Sequence, residues 1–148
     1  MNVLFYTPKD TLVSQRLEKK IRGVVPNPNL EIFPDFDSFR RRLRAPVYNL
    51  AAAVLFTETS QNLDRLATVS DLLTGIRMIL VLPDHSPETV RAGHRMQPRF
   101  VSFTDSDFSD VAGVLEKMWQ LTAGDSRLSR RAISGNGKGR SRSGGSNT

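Results

Sequence analysis

The 148-residue sequence predicts a three-layer α/β fold: a doubly wound sheet of five parallel strands with helices on both faces. Three observations carry that reading. Five short apolar runs recur between residues 3 and 103, and the third and fourth are near-continuous, as in strands buried on both faces. Segments with apolar residues at helical spacing separate each run from the next. Helix-capping residues and glycines fall at the junctions.

The runs cover residues 3–6, 30–33, 50–56, 78–82 and 100–103. After the first, Leu12, Leu17, Ile21 and Val24 fall roughly on one helical face, with Lys19, Lys20 and Arg22 mostly off it. Phe36, Phe39 and Leu43 repeat the pattern in the second segment. Leu63, Leu66, Val69 and Leu73 form a single stripe in the third. Thr59 or Ser60 suits its N-cap, and Gly75 stands just past its end. In the fourth segment Ser86-Pro87-Glu88 supplies a cap, a first-turn proline and an early acid, although Gly93 interrupts the helix. Asp107 and Asp110 suit the start of the last helix, whose stripe is Val111, Val114, Leu115, Met118 and Leu121. Gly124 suits its stop. Right-handed crossovers with five strands give most often the flavodoxin-like order 2-1-3-4-5. Ligands in such sheets bind at the carboxyl ends of strands, near the switch between strands one and three.

Composition separates residues 1–122 from a tail over 123–148. From residue 125 onward the chain holds six basic residues and one acid, so the net charge of +6 belongs mainly to the tail. Its Ser, Gly and Arg content predicts disorder, because it buries too little apolar surface to offset the entropy of ordering. Weak nucleic-acid or anionic contact through its cations is expected at most, since no aromatic follows Trp119 to stack on bases. RRAIS, ending at Ser134, looks like a basophilic kinase site. GNGKGR at 135–140 lacks the strand, the helix and the spacing of a phosphate loop. The absence of cysteine excludes a disulfide framework, a thiolate zinc site and a thiol nucleophile. No apolar stretch is long enough for a signal peptide or a membrane span, so the sequence reads as cytoplasmic.

In element order, element lengths and run-to-run spacing, residues 1–122 resemble a response-regulator receiver domain. The resemblance implies an acidic pair after strand one, a phosphoacceptor Asp after strand three, Ser or Thr after strand four and Lys-Pro after strand five. The carboxylates would hold Mg²⁺, and the hydroxyl and ammonium would bind acyl phosphate oxygens. This sequence departs at almost every one of these positions. Thr7 and Pro8 follow VLFY; Thr57, with Glu58 next, follows AAAVLF; Pro83 follows MILVL; Thr104 follows RFVSF with no lysine nearby. A hydroxyl cannot form an acyl phosphate, and without the acidic pair Mg²⁺ has few ligands. The resemblance thus implies a pseudo-receiver: a non-catalytic signalling or regulatory module, without cofactor, that acts through a protein partner or a homodimer. Receivers usually present the fourth helix, fifth strand and fifth helix to partners. Here that surface includes Arg91, Arg95, Phe103, Asp110, Val114 and Trp119, although Trp119 suits core packing equally well.

A second class of function stays open, a small flavodoxin-like enzyme or ligand binder. Asp10, Glu58, Asp84 and Asp105 all fall near the strand carboxyl ends, where converging carboxylates would bind a hard cation. Each also suits a loop entering a helix, where acids favour the positive end of the dipole. His85 lies in the same region, but neither it nor His94 has a Ser or acid at catalytic spacing in the sequence. The first strand–helix turn, YTPKDT, contains no glycine and excludes a dinucleotide fingerprint. Arg40, Arg41, Arg42 and Arg44 crowd the second helix, either as a solvated face, as partners of neighbouring acids or as an anion-binding surface.

Overall fold

A computed structural model describes residues 1–134, with side-chain surroundings through residue 122. Strands β1 (Asn2–Tyr6), β2 (Leu30–Phe33), β3 (Leu50–Phe56), β4 (Met78–Leu82) and β5 (Phe100–Phe103) form one parallel sheet. Its order is β2-β1-β3-β4-β5, as the sequence predicts. Tyr6 pairs with Phe33 and Leu55, Phe56 with Val81, and Leu82 with Phe103, so all five strands end on one edge. The helices are α1 (Leu12–Arg22), α2 (Phe36–Arg44), α3 (Ser60–Ala67), α4 (Ser70–Leu73), α5 (Pro87–Arg95) and α6 (Ser109–Ser134).

The pleat sends alternate side chains into two separate cores. Val3, Phe5, Val54, Phe56, Ile79 and Val81 meet Leu17 and Ile21 of α1 and Val111 and Leu115 of α6. Leu4, Tyr6, Leu55, Leu80 and Leu82 meet Phe39 of α2, Leu63 and Leu66 of α3 and Met96 after α5. The near-continuous apolar strands therefore follow from burial on both faces. The small residues Ala51 and Ala52 belong to the first core, where α6 packs directly on β3.

The caps at Thr59 and Ser86 form as predicted, each side chain accepting a backbone N–H three residues on, and Pro87 opens α5. Gly75 has φ +87°, the left-handed geometry that ends the preceding turn. The third helix differs from expectation. It breaks at Thr68, whose hydroxyl donates to the Arg65 carbonyl at 2.6 Å, and the chain resumes as α4. Its stripe survives the break, because Leu63, Leu66, Val69 and Leu73 are all buried. Leu12 and Leu121 leave their predicted faces and are 78% and 57% exposed. At 100° per residue Leu12 lies about 140° from Leu17, and Leu121 about 120° from Leu115. Thr122 is buried in place of Leu121, its hydroxyl donating to the Met118 carbonyl. Helix α6 also continues through Gly124, the predicted stop, to Ser134. Residues 123–134 hold no proline and only that glycine, so backbone chemistry does not end the helix there. The GNGKGR segment and the rest of 135–148 lie outside the described residues.

Gly93 is a packing requirement rather than a weak point of α5. A Cβ there would lie 2.9 and 3.1 Å from the two δ-carbons of Leu82 and 3.3 Å from a δ-carbon of Leu80. Overpacking opposes the helix-propensity gain of alanine, so Gly93→Ala is expected to destabilise by about 1 kcal/mol in urea unfolding. An increase in stability would show that the leucines yield freely.

The arginine-rich helix is partly neutralised from within. Arg42 Nε donates to Glu31 Oε1 at 2.7 Å, and Asn2 donates to Glu31 Oε2 at 2.7 Å. These donors, Arg42 first, hold the Glu31 carboxyl below its ordinary value. The pair is partly exposed, so Glu31→Gln is expected to cost about 1 kcal/mol at pH 7. Because the folded-state pKa is depressed, this contribution is present above the unfolded value and fades as pH falls through the folded one. Wild type and variant should therefore converge in acid unfolding curves; a constant gap would assign the effect to packing. Arg40 reaches Asp37 only at 3.5 Å in solvent, while Arg41 and Arg44 are exposed.

Candidate functional site

The strand ends bring Thr7, Thr57 and Thr104 to one edge through the continuing ladder. Thr7 N–H donates to the Phe33 carbonyl, Thr57 N–H to Val81 and Thr104 N–H to Leu82. Loops leaving this edge enter α1, α3, α5 and α6. The positions that the receiver resemblance singles out thus lie around the switch between β1 and β3.

Their polar groups are turned to local work. Thr57 is completely buried, and its hydroxyl donates to the Val81 carbonyl at 2.6 Å. That carbonyl also receives the Thr57 N–H at 3.1 Å, so both donors of the residue fasten β3 to β4. Thr104 donates its hydroxyl to the Pro83 carbonyl at 3.1 Å, closing β5 onto the loop after β4. Thr7 donates to the Lys9 carbonyl at 3.1 Å, inside the turn that Pro8 enters. All three threonine hydroxyls face protein carbonyls.

Glu58 is the exception. Its Oε1 is buried without a hydrogen-bond partner among the described residues, whereas its N–H donates to the side-chain oxygen of Asn62. Asn62 also accepts the Thr59 N–H, and its own N–H donates to the Thr59 hydroxyl. This reciprocal cap fixes the loop after β3. The sequence carried a trace of it, Thr59 three residues before Asn62, although Asn is not the usual closing residue of a capping box.

The four carboxylates do not converge. Among the described residues no group of three or more His, Cys, Asp or Glu side chains is placed to hold a metal ion. Asp10 accepts from Gln15 Nε2 at 3.0 Å. Asp84 accepts the Ser86 N–H at 2.9 Å, and that bond chiefly holds its carboxyl below the ordinary range. Asp105 instead meets His85. Asp10, Asp84 and Asp105 thus each serve a separate local contact, as suits acids in loops entering helices.

His85 meets an acid that its neighbours in the sequence do not reveal. Twenty residues separate it from Asp105, yet its Nε2 lies 3.0 Å from a carboxylate oxygen of Asp105. Its ring stacks on Phe103 with centroids 3.7 Å apart and planes inclined at 19°. Ser86 is not its third member, since the Ser86 hydroxyl donates to Thr89. A solvent-exposed His–Asp pair covering one face of Phe103 links the loops after β4 and β5.

The first turn of α6 completes the edge. Asp110 accepts from the Ser102 and Ser106 hydroxyls at 3.0 and 3.1 Å and from the Val111 N–H at 2.8 Å. The Phe108 backbone sits at φ +66°, an uncommon geometry for a bulky residue, with the side chain buried against α1 and α6. Of the remaining surface residues, Arg91 and Arg95 are exposed on α5, while Val114 and Trp119 pack partly against the first core.

Comparisons of the folded chain agree with this geometry. A response regulator receiver protein from Pseudoalteromonas atlantica superposes with a TM-score of 0.60 at 11% identity, over 85% of this chain and 99% of that one. This chain has a receiver-like fold. A response regulator receiver domain from Rhodospirillum rubrum gives a TM-score of 0.55 at 10% identity, covering 82% and 93% of the two chains. A protein described as pilus assembly-related, from Burkholderia pseudomallei, gives 0.58 at 13%, covering 80% and 90%. The sequence matches no protein-family model and none of the curated proteins compared with it. Among the described residues no helix is long and apolar enough to cross a membrane.

Proposed function

We propose that this receiver-like domain is a non-catalytic signalling or regulatory module that works by protein contact and takes no phosphoryl group after strand three. The observation that carries the reading is Thr57. It occupies the phosphoacceptor position, is fully buried, and spends its hydroxyl on the Val81 carbonyl. A side-chain oxygen that is neither a carboxylate nor accessible offers no nucleophile for an acyl phosphate. Thr7 and Pro8 supply no carboxylate for Mg²⁺, and Thr104 supplies no ammonium to steady a phosphoryl oxygen.

Partner binding falls to surfaces that keep their side chains free. Arg91 and Arg95 are exposed on α5, and the half-buried Phe103 is covered on one face by the His85 ring. Asp110 contributes by fixing the first turn of α6 through Ser102 and Ser106 rather than as a free charge.

Acetyl phosphate or beryllofluoride with Mg²⁺, followed by mass spectrometry and amide NMR, tests the reading. No added phosphoryl mass and no saturable shifts around residues 57–59 are expected. Stoichiometric modification at one site would overturn it. The contact role is tested by light scattering and pull-down with wild type and Arg91→Glu/Arg95→Glu. The variant should lose the partner or the dimer, and an unaltered assembly would remove this face from the proposal.

A further inference from the structure

The sheet edge opposite the strand carboxyl ends holds a cavity of about 440 Å³, within the size range of small-molecule sites. Three separate segments place an arginine in its lining. Arg77 precedes β4, Arg95 closes α5 and Arg99 precedes β5, while Asp71 is the single acid present. None of the three guanidiniums forms an ion pair among the described residues. Among the described residues Arg77 reaches only the Thr122 hydroxyl, at 3.5 Å. Ser70 and Thr74 add hydroxyls to the wall, and no aromatic residue lines it.

We infer that this cavity binds a compact phosphorylated small molecule. Three cations gathered into one concave space repel each other and raise the local concentration of anions. Guanidinium forks match phosphate oxygens in two-point hydrogen bonds; the Ser70 hydroxyl supplies a further donor, whereas that of Thr74 donates to the Ser70 carbonyl at 3.4 Å. With no ring to stack a nucleobase, the phosphate itself must provide the recognition. Arg99 is fixed close to the sheet, because its N–H donates to the Met78 carbonyl at 2.8 Å. Arg95 and Arg99 are exposed at the mouth, and Arg77 is half-buried. The site is independent of Thr57 but shares Arg95 with the partner surface proposed above; Arg91 lies outside the cavity lining, so pyrophosphate binding by Arg91→Glu tells failure of one proposal from failure of the other.

Pyrophosphate titrated into the isotope-labelled full chain tests the inference, with sulfate at matched ionic strength as the reference. Saturable amide shifts at Gly75, Arg77, Gln97 and Arg99 are expected, together with a melting midpoint that rises with pyrophosphate and less so in added salt. Arg95→Gln/Arg99→Gln should leave the unliganded midpoint unchanged and weaken pyrophosphate binding at least about tenfold. Vesicles containing phosphatidic acid separate two sources of the phosphate. Co-sedimentation that the double variant abolishes assigns it to a headgroup, and its absence beside pyrophosphate binding assigns it to a soluble metabolite. Absent or non-saturable shifts at these amides, sulfate binding equal to pyrophosphate, or undiminished binding by the double variant would each overturn the inference.

Discussion

Thr57→Asp, which supplies the residue type a phosphoacceptor requires, is expected to destabilise the protein by about 3–5 kcal/mol at pH 7 rather than create a working site. The position is fully enclosed, and the Val81 carbonyl faces it at 2.6 Å. A carboxylate there would present oxygen to oxygen in a position closed to solvent. Burial would raise the folded-state pKa of the new carboxyl above its unfolded value of about 3.9. The unfolded chain then binds fewer protons than the native one above that value, so stability falls with rising pH until the folded-state pKa is reached. Urea unfolding at pH 4 and pH 7 should show the larger loss at pH 7. Thr57→Val is the control. It removes the hydroxyl but leaves the Thr57 N–H donating to the same carbonyl, so about 1 kcal/mol is expected. A Thr57→Asp chain as stable as wild type that responds to beryllofluoride would show that the edge opens readily, and the proposed loss of phosphoryl chemistry would then rest on the side chain alone.

Phe39→Ala is expected to cost about 3–5 kcal/mol. Phe39 is fully buried, stacks on Tyr6 with centroids 5.0 Å apart and lies 5.8 Å from Phe33. It is the main anchor of α2, a nine-residue helix in which Arg40, Arg41, Arg42 and Arg44 provide no apolar packing of their own. Truncation leaves a cavity between β1 and α2, which neighbouring aromatic rings fill poorly. Phe39→Leu retains most of the volume and should cost about 1 kcal/mol. Thermal and urea unfolding of both variants distinguish an anchoring aromatic from a replaceable filler. Equal small losses would mean that α2 is held chiefly by the Arg42–Glu31 pair.

The strands and helices were legible because their signals are local. Residues 50–56 and 78–82 read as buried strands, and both are buried on two faces. The misplaced residues, Leu12 and Leu121, carry the right hydrophobicity on the wrong side of the helix. Gly93 shows a different limit. Its sequence signal was weakness in a helix, whereas the reason for glycine is the close approach of Leu82, eleven residues earlier. The site divided in the same way. Which residue types follow each strand is visible in the sequence, but the destination of a hydroxyl is not. Thr57, Thr104 and Asp110 find their partners 24, 21 and 8 residues away.

By itself the sequence determined the order of elements, the parallel sheet, and the absence of a carboxylate at the position after strand three. Those properties follow from periodicity and residue type, which act over a few neighbours along the chain. The tertiary structure alone decided that the Thr57 hydroxyl is closed off, that Asp105 meets His85, and that Arg77, Arg95 and Arg99 share a cavity. Each depends on parallel strands bringing distant loops to a common edge, where hydrogen bonds and charge pairs form only after the sheet has set the distances.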